Sequence, residues 1–535
     1  MASPIASRVR PAPSTPATAP DARRQRLEPP PAVRRAKEVR CSVHGSITLD
    51  PLLVAIMDTE TFQRLRRTRQ LGVSDHVYPT ATHSRFEHSL GVAHLAGLLC
   101  QKLRSHPFPK GADPPSDRDI LCVQLAGLCH DLGHGPYSHT FEKIVPGFKH
   151  AKMSNVLLDK LFQSEVRLSD FAAGGERLNE EVDLTFIKEL IDGGEKTARG
   201  RRKWYLYDIV ANDRFGLDVD RLDYLMRDSK NAIGECGCGF TLGFILDNAR
   251  VRMTAGDAGD DDDAAVPVIA FPRKAASELW KVFRARHDMF NQVYLHPKCI
   301  GRELLLQDVL QAMGELPAPY CHVLPGKKLA DAASEPGDFI RLDDHILSRL
   351  RQRLDELMDS DELTMDPPDA ATTRGSRPEV RAAADALGRF LRHDHYAKLA
   401  EELWDEEMGP IPKARALQEN WGLPAEQFHV VLRIVHHGDG ARNPMEACQF
   451  FNPKLEEVDE LATPLPQPEK WLPLPRHFAR TTVCVYWRGE AKDASGRTSP
   501  ARRDAEQRIR DAWQAHGFPS PSDVDEEPPL SQGYS

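Results

Sequence analysis

Residues 123–139, VQLAGLCHDLGHGPYSH, put four groups able to bind a cation or move a proton into one short stretch. An apolar run carries the doublet His130-Asp131 at its end. Gly133, Gly135 and Pro136 then stop the predicted helix, because glycine tolerates positive φ and proline cannot continue the hydrogen-bond ladder. His134 and His139 follow in the turn. An unpaired charge among apolar residues is costly, and binding a metal is one way to offset that cost. The doublet alone supplies too few ligands, so others must come from elsewhere. Two stretches qualify: HSRFEHSLGV at 83–92, opening a predicted helix, and GLDVDRLDYLMRD at 216–228. In the first, Arg85 stands one helical turn before His88, so both can face one side, and an arginine there can grip phosphate through a fork of hydrogen bonds. In the second, Asp220, Tyr224 and Asp228 follow one another at four-residue spacing and share one helix face.

The elements that must position these groups are mostly helical. "PLLVAIMDTETFQRLRRTRQLG" has apolar residues at helical spacing, with Asp58-Thr59 as N-cap for its second part. A long helix holds Leu90, His94, Leu95, Leu98 and Leu99, residues 107–115 form a loop, and the doublet helix follows. Further helices are expected over 151–200 with a break at Gly174-Gly175, over 274–297, 339–358 and 379–405. Strands are expected over 251–271 around an acidic tip at 257–263, a loop over 317–337, and short strands with a helix near 501–516 after Phe428. The expected fold class is mainly α, an HD-domain helical core with a smaller mixed α+β C-terminal lobe. The expected divisions are a basic, Pro-rich disordered tail at 1–36, a core at 37–318, a regulatory and oligomerisation lobe at 319–517, and a disordered acidic tail at 518–535.

Composition bounds the function. The chain has 535 residues, 41% hydrophobic and 28% charged, with net charge −9, ordinary for a soluble globular protein and unfavourable for general polyanion binding. No apolar run reaches membrane-spanning length. The ten cysteines are scattered; Cys236 and Cys238 form the only close pair, and no second pair completes a zinc spacing. Free thiols in a reducing compartment are expected. The arginine clusters at 23–26 and 34–37 suit a nuclear address, and an Arg-rich, acid-poor start also suits a transit peptide. The expected location is nuclear or cytoplasmic, with an organelle transit peptide left open.

The H…HD…D pattern is that of the HD-domain phosphohydrolases. "RFEHSLGV", "LAGLCHDLGHGPYSH" and "DVDRLDYLMRD" together resemble the deoxynucleoside triphosphate triphosphohydrolases, most closely the members that join a SAM domain to the HD domain. The likeness runs from about Lys37 to about Trp513; the N-terminal 36 residues are too few for a SAM domain of about 60–70 residues. The resemblance implies His88, His130, Asp131 and Asp220 as ligands of a divalent transition metal (iron, manganese or zinc, with magnesium as an additional ion), since two imidazoles and two carboxylates suit such ions. It implies His139 as the general acid for the leaving 5′-oxygen, His134 at the α-phosphate, and His150 beside them; Asp131 can also position the attacking water. Relatives carry Glu after that last histidine where this chain has Ala151, with Glu142 as a substitute acid. Arg85, Arg221 and Arg286 would hold the triphosphate, Asp218, Tyr224 and Asp228 the sugar side, and Gln70, Leu71 and Tyr294 would exclude a 2′-hydroxyl. His296 matches a base contact, while Leu295 replaces a glutamine.

The resemblance also implies an activating site. Asp58, Gln63 and Arg66 would read guanine of GTP or dGTP, with Lys37 on its phosphates, and Val77 and Lys274 are candidates for a second, dNTP activator. A homo-oligomer passing from dimer to tetramer is the implied assembly, with single-stranded nucleic acid as a further partner and no membrane. The implied reaction is dNTP plus water to deoxynucleoside and inorganic triphosphate. Two competitors remain: an HD phosphohydrolase acting on another nucleotide, and a nucleotide- or nucleic-acid-binding protein with a weakened site.

Overall fold

The computed structural model describes residues 35–193, 196–234, 238–254, 265–315, 327–359, 376–392, 394–404, 413–454, 458, 460–489 and 497–515. Residues 1–34 of the expected N-terminal tail, the acidic tip at 257–263, Cys236, the first part of the expected 317–337 loop and the C-terminal tail lie outside the described residues.

The chain opens with an antiparallel hairpin, β1 (Lys37–Cys41) and β2 (Gly45–Leu49), in register Lys37↔Leu49 to Cys41↔Gly45. Asp50 caps α1 (Pro51–Met57) by accepting from Leu52 N. The second part of that stretch begins at Asp58-Thr59, where the sequence places a cap. Thr59 caps the short α2 (Glu60–Gln63) by accepting from Phe62 N, and Arg64–Arg67 tightens into a 3-10 turn. The core follows: α3 (Arg85–Arg104), α4 (Asp117–Cys129), α5 (His139–Ile144) and α6 (His150–Ser164). A capping box of Ser116 and Asp119 starts α4, satisfying donors that a helix end leaves free. The Gly174-Gly175 break proves to be a tiny hairpin, β3 (Ala172–Ala173) and β4 (Glu176–Arg177), before α7 (Val182–Asp192). Next come α8 (Val219–Ala232), α9 (Leu242–Asn248), β5 (Arg250–Thr254), β6 (Val266–Pro272), α10 (Ala276–Met289) and α11 (Pro297–Glu315).

The central packing is α3 on α4, with α8 against α3 and α7 against α4. Gly127 sets the distance between α3 and α4: a Cβ there would lie 3.2 Å from the backbone of Ala93 and Val92. That close approach brings the start of α3 beside the end of α4. The pair is buried throughout by Val92, Leu95, Leu99, Val123, Leu125 and Leu128.

Three expectations for the rest need correction. The stretch expected as loop up to Gly337 contains α12 (Leu329–Ser334) and the start of α13 (Pro336–Phe339); Pro336 sits in the first turn of α13, where its missing N–H costs nothing. After α14 (Ile346–Asp359) and α15 (Ser376–Leu391), the helix expected to reach residue 405 stops, and β7 (Ala397–Leu403) takes its place. Its residues favour helix locally, but the sheet overrides that preference. The helix expected over 274–297 ends at Met289 and gives way to a π-turn, Phe290–Tyr294.

The C-terminal lobe continues with α16 (Ala414–Asn420), β8 (Phe428–His436), α17 (Pro444–Ala447), β9 (Gln449–Phe451), β10 (Thr463–Pro464), β11 (Ala479–Trp487) and α18 (Pro500–Ala515). One sheet runs β7-β11-β8 over a small core of Phe428, Val483, Val485, Ile509 and Trp513. Another runs β10-β9-β6-β5, where β9 pairs in parallel with β6 (Phe271↔Phe450). The late chain is thus stitched into the early one, across residue 318. Helix dominates, with the small sheets, as expected for a mainly α fold with a mixed lobe. Among the described residues, no helix is long and apolar enough to cross a membrane, and all eight described cysteines are free.

Candidate functional site

Three helix ends meet at one cavity. His88 lies in the first turn of α3, His130 caps the end of α4 with Asp131 next to it, and Asp220 lies in the first turn of α8. Asp220 Oδ1 is 2.9 Å from His88 Nε2 and 3.4 Å from His130 Nε2. Asp131 approaches the same two nitrogens at 3.6 and 3.5 Å. Neither imidazole Nε2 makes a hydrogen bond of sound geometry, although both are buried. Their other nitrogens are committed: His88 Nδ1 to Asp223 Oδ2 at 2.8 Å, and His130 Nδ1 to Gly127 O at 2.9 Å. Orienting contacts of this kind aim a ligand nitrogen at an ion. Two imidazoles and two carboxylates converging through otherwise unpartnered atoms fit a divalent cation, and His88, His130 and Asp220 offer ligand atoms within 4.8 Å of one another. Burial opposes the charged imidazole of His88, but Asp220 and Asp223 outweigh it and raise its pKa to about 10; cation binding must therefore displace a proton.

Beside this quartet is a cluster of three imidazoles. His134 is buried, with Nε2 3.2 Å from Asp131 Oδ1 and its ring stacked on His150 at 4.0 Å between centroids. Burial and the Arg85 guanidinium hold His134 well below the usual histidine range, so it is neutral. His139, at the first position of α5, is 62% exposed. Glu142, one turn on, accepts from His150 Nδ1 at 2.6 Å and stands 3.8 Å from His139 Nδ1. The carboxylate missing at Ala151 is thus supplied from α5. Burial opposes ionisation of Glu142, yet His139 and His150 hold its carboxyl well below the usual range.

The turn between His134 and His139 is strained and fastened. Tyr137 and Ser138 both have positive φ, 57° and 55°, a costly state for non-glycine residues. Asp344 Oδ1 accepts from Tyr137 N at 2.6 Å, and Ser138 Oγ donates to Arg69 O at 2.6 Å. Ser138 Oγ also accepts from Arg85 Nε at 3.0 Å, while Arg85 Nη1 donates to Asp131 at 2.7 Å.

The cavity, about 490 Å³, is lined by Gln70, Leu71, Arg85, Tyr224, Asp228 and Tyr294 besides His130, Asp131, His134, His139, His150 and Asp220; His88, Asp223 and Glu142 support these without lining it. Asp228 is held from both sides: His83 Nε2 lies 2.7 Å from Oδ1, and the Tyr294 hydroxyl donates to Oδ2 at 2.7 Å. The π-turn changes the register of Tyr294 relative to α10, and such turns cluster at functional sites. Arg221 and Arg286 do not line the cavity. They stand behind Tyr224 and interact with it. Arg286 donates to His436 O, at the end of β8, and Arg221 keeps Nε and Nη1 without a partner although both are buried.

Several expected residues are placed elsewhere. Asp218 spends its carboxylate capping α8, with Oδ1 accepting from Arg221 N at 2.8 Å and Oδ2 from Asn212 N at 3.1 Å; it is a local anchor rather than a cavity group. His296 packs edge-on against Tyr78, and its Nδ1 accepts from Lys298 N, outside the cavity lining. Asp58, Gln63 and Arg66 do not share one helix, because the chain breaks after Met57. They stay adjacent all the same: Gln63 donates to Met57 O at 2.7 Å and accepts from Arg66 Nε at 2.8 Å, while Arg66 lies over the Phe86 ring. Asp58, Arg66, Lys37 and Lys274 are exposed, and Val77 is half-buried. Sequence reasoning missed Asp223, Lys143, Glu303 and His83 as parts of the site. Asp223 stands one turn after Asp220, and that spacing was the available signal; the Lys143–Glu303 pair at 2.7 Å joins α5 to α11 and had none.

The HD domain profile matches residues 85–225. The deoxynucleoside triphosphate triphosphohydrolase SAMHD1 of Homo sapiens is 43% identical over 483 residues, 84% of this chain and 70% of that protein. The Danio rerio protein of the same name is 44% identical over 470 residues, 83% of this chain and 70% of its own length. A Dictyostelium discoideum homologue is 32% identical over 326 residues, 59% of this chain and 55% of its own. Residues 85–225 contain every ligand of the quartet, and the likeness continues far beyond them on both sides; the chain belongs to the family of HD-domain deoxynucleoside triphosphate triphosphohydrolases.

Proposed function

We propose that the protein hydrolyses dNTPs to deoxynucleoside and inorganic triphosphate in the cavity between α3, α4, α8 and α10. The observation that carries this reading is one cavity bordered by His130, Asp131 and Asp220 of the quartet at one end and by Asp228 with Tyr294 at the other. A divalent transition metal held by the quartet would polarise a phosphate oxygen and acidify a water. Asp131 orients the attacking water toward the α-phosphorus, and Arg85 binds the phosphate it attacks. As the bond to the 5′-oxygen breaks, His139 gives that oxygen a proton. Glu142 holds His150, and neutral His134 faces the α-phosphate as a dipole. Asp228 accepts from the 3′-hydroxyl, while Tyr294 closes the space that a 2′-hydroxyl would need. Arg221 and Arg286 take the far end of the triphosphate.

Control belongs to the same proposal. Exposed Asp58 and Arg66 with half-buried Gln63 beside them, and exposed Lys37 on β1, would take GTP or dGTP at a contact between copies of the chain; Val77 and Lys274 are the candidates for a dNTP activator. A ligand that binds only the assembled state shifts the population toward it. The test is incubation of metal-loaded protein with each dNTP, with and without GTP, followed by product chromatography and light scattering. Triphosphate release supports the reading. Release of orthophosphate alone points to a different HD phosphohydrolase, and no product points to a binding protein.

A further inference from the structure

The tip of the N-terminal hairpin reaches the metal quartet. His44, in the turn between β1 and β2, is half-buried as a residue but its side chain is only 4% exposed, and its Nε2 lies 2.5 Å from Asp223 Oδ1. Asp223 is itself wholly buried on α8, with Oδ2 2.8 Å from His88 Nδ1. Arg227 grips the same carboxylate through Nε and Nη2, both at 2.8 Å. The hairpin is fastened at this end, because Cys41 Sγ accepts from Val43 N, His44 N and Arg227 Nη2, and Lys230 donates to Ser42 O. Space for the arrangement is reserved on α3: a Cβ at Gly91 would fall 1.9 Å from Asp223 Oδ1 and 2.4 Å from Arg227 Nη2.

Arg227 already balances the charge of Asp223, so His44 is not needed for neutrality. Its effect is geometric. A carboxylate held only by Arg227 on its own helix could still tilt with that side chain, whereas a donor from the hairpin fixes the remaining direction and, through Oδ2, the plane of the His88 imidazole. A ligand imidazole locked through its other nitrogen is a better ligand than a free one, and losing such support typically weakens metal binding about 10–100-fold.

We propose that His44 is a positioning residue for the metal site, acting through Asp223 on His88, so that the N-terminal hairpin is a working part of that site. The inference rests on the metal reading given above. The test measures metal affinity by competition with a chromophoric chelator, without nucleotide, on the full-length protein. His44→Leu fills the space without a donor and is expected to bind manganese or iron about 10–100-fold more weakly. His44→Gln, whose amide reaches toward Asp223, is expected to stay within about threefold of wild type. Melting of the metal-free proteins accompanies both, and His44→Ala replaces the leucine variant should that one fail to fold. Wild-type affinity in a folded variant lacking the donor overturns the proposal. So does equal loss in the glutamine and leucine variants, since the donor would then not matter. Because the readout is metal affinity, a wild-type protein that binds metal but does not hydrolyse dNTPs refutes the function and leaves this inference standing.

Discussion

The metal end of the cavity and the arginine pair behind Tyr224 are built on opposite plans. At the metal end almost every polar atom is spoken for: Asp223 has Arg227, His44 and His88, His130 is tied to Gly127 O, and Glu142 holds His150. Within the quartet, the unpartnered buried atoms are the Nε2 nitrogens of His88 and His130. Outside the lining, Arg221 and Arg286 stand together behind Tyr224 with no carboxylate bound to either guanidinium among the described hydrogen bonds, and Arg221 has two buried donors idle. The first plan fixes geometry before anything binds; the second stores unsatisfied positive charge that an anion would relieve. A chain selected for stability alone would not keep buried donors idle, because each costs free energy.

The largest effect expected from breaking this comparison is at Asp131. Asp131→Ala should remove bound metal and lower dNTP hydrolysis by about 10³-fold or more, since several kcal/mol of charge stabilisation disappear. Full metal occupancy by elemental analysis would disprove the ligand assignment. The second effect sets two arginines of α8 against each other. Arg227→Met should destabilise the protein by about 3–5 kcal/mol, because it strands buried Asp223. Arg221→Met should leave the melting temperature unchanged or higher while raising KM for dATP by about 10–100-fold, the worth of charge-assisted bonds to phosphate. Equal destabilisation by both would erase the contrast.

At the end of the cavity away from the metal quartet, Tyr294→Phe removes the bond to Asp228 and should cost about 1 kcal/mol of transition-state binding, roughly fivefold in kcat/KM for dATP. Unchanged kinetics would show that Asp228 is aimed by His83 alone. The last effect concerns pH. Burial pushes the Asp344 carboxyl up to about 7, so the native protein keeps a proton that the unfolded chain releases near pH 4. Stability should fall as pH rises from about 4 to about 7 and level off above that. Asp344→Asn should flatten that slope, by at most about 4 kcal/mol for a shift of roughly three units, readable as melting temperature against pH; a slope equal to wild type would place the titration elsewhere.

The metal end was legible in the sequence because its ligands sit at helix ends flagged by glycine, proline and helical spacing, and because the family motifs quote them. His44 was not, since its partner lies on α8 and only the fold brings them together. Glu142 could be named as a substitute acid from its nearness to His139. Asp218 was misread because a carboxylate at a helix start serves as an N-cap as readily as a ligand. β7 was misread because its alanines, lysine and glutamates carry a local helical preference, while β11 decides its state. The start of α2 was legible because Thr59 is a capping residue type, whereas its end after one turn, at Arg64, carries no sequence signal.

The parallel pairing of β6 with β9 bears on how the molecule comes into being. Every metal ligand precedes α9, yet β6 lacks its second neighbour until the chain beyond Phe451 exists. Contacts that close so large a loop form late and slow folding. During synthesis the emerging catalytic half would carry an open, apolar strand, Val268 to Phe271, of the kind that recruits other chains. A version cut after α11 would therefore keep the ligands and gain a tendency to aggregate, and the C-terminal lobe would act as the clasp that makes the first half soluble.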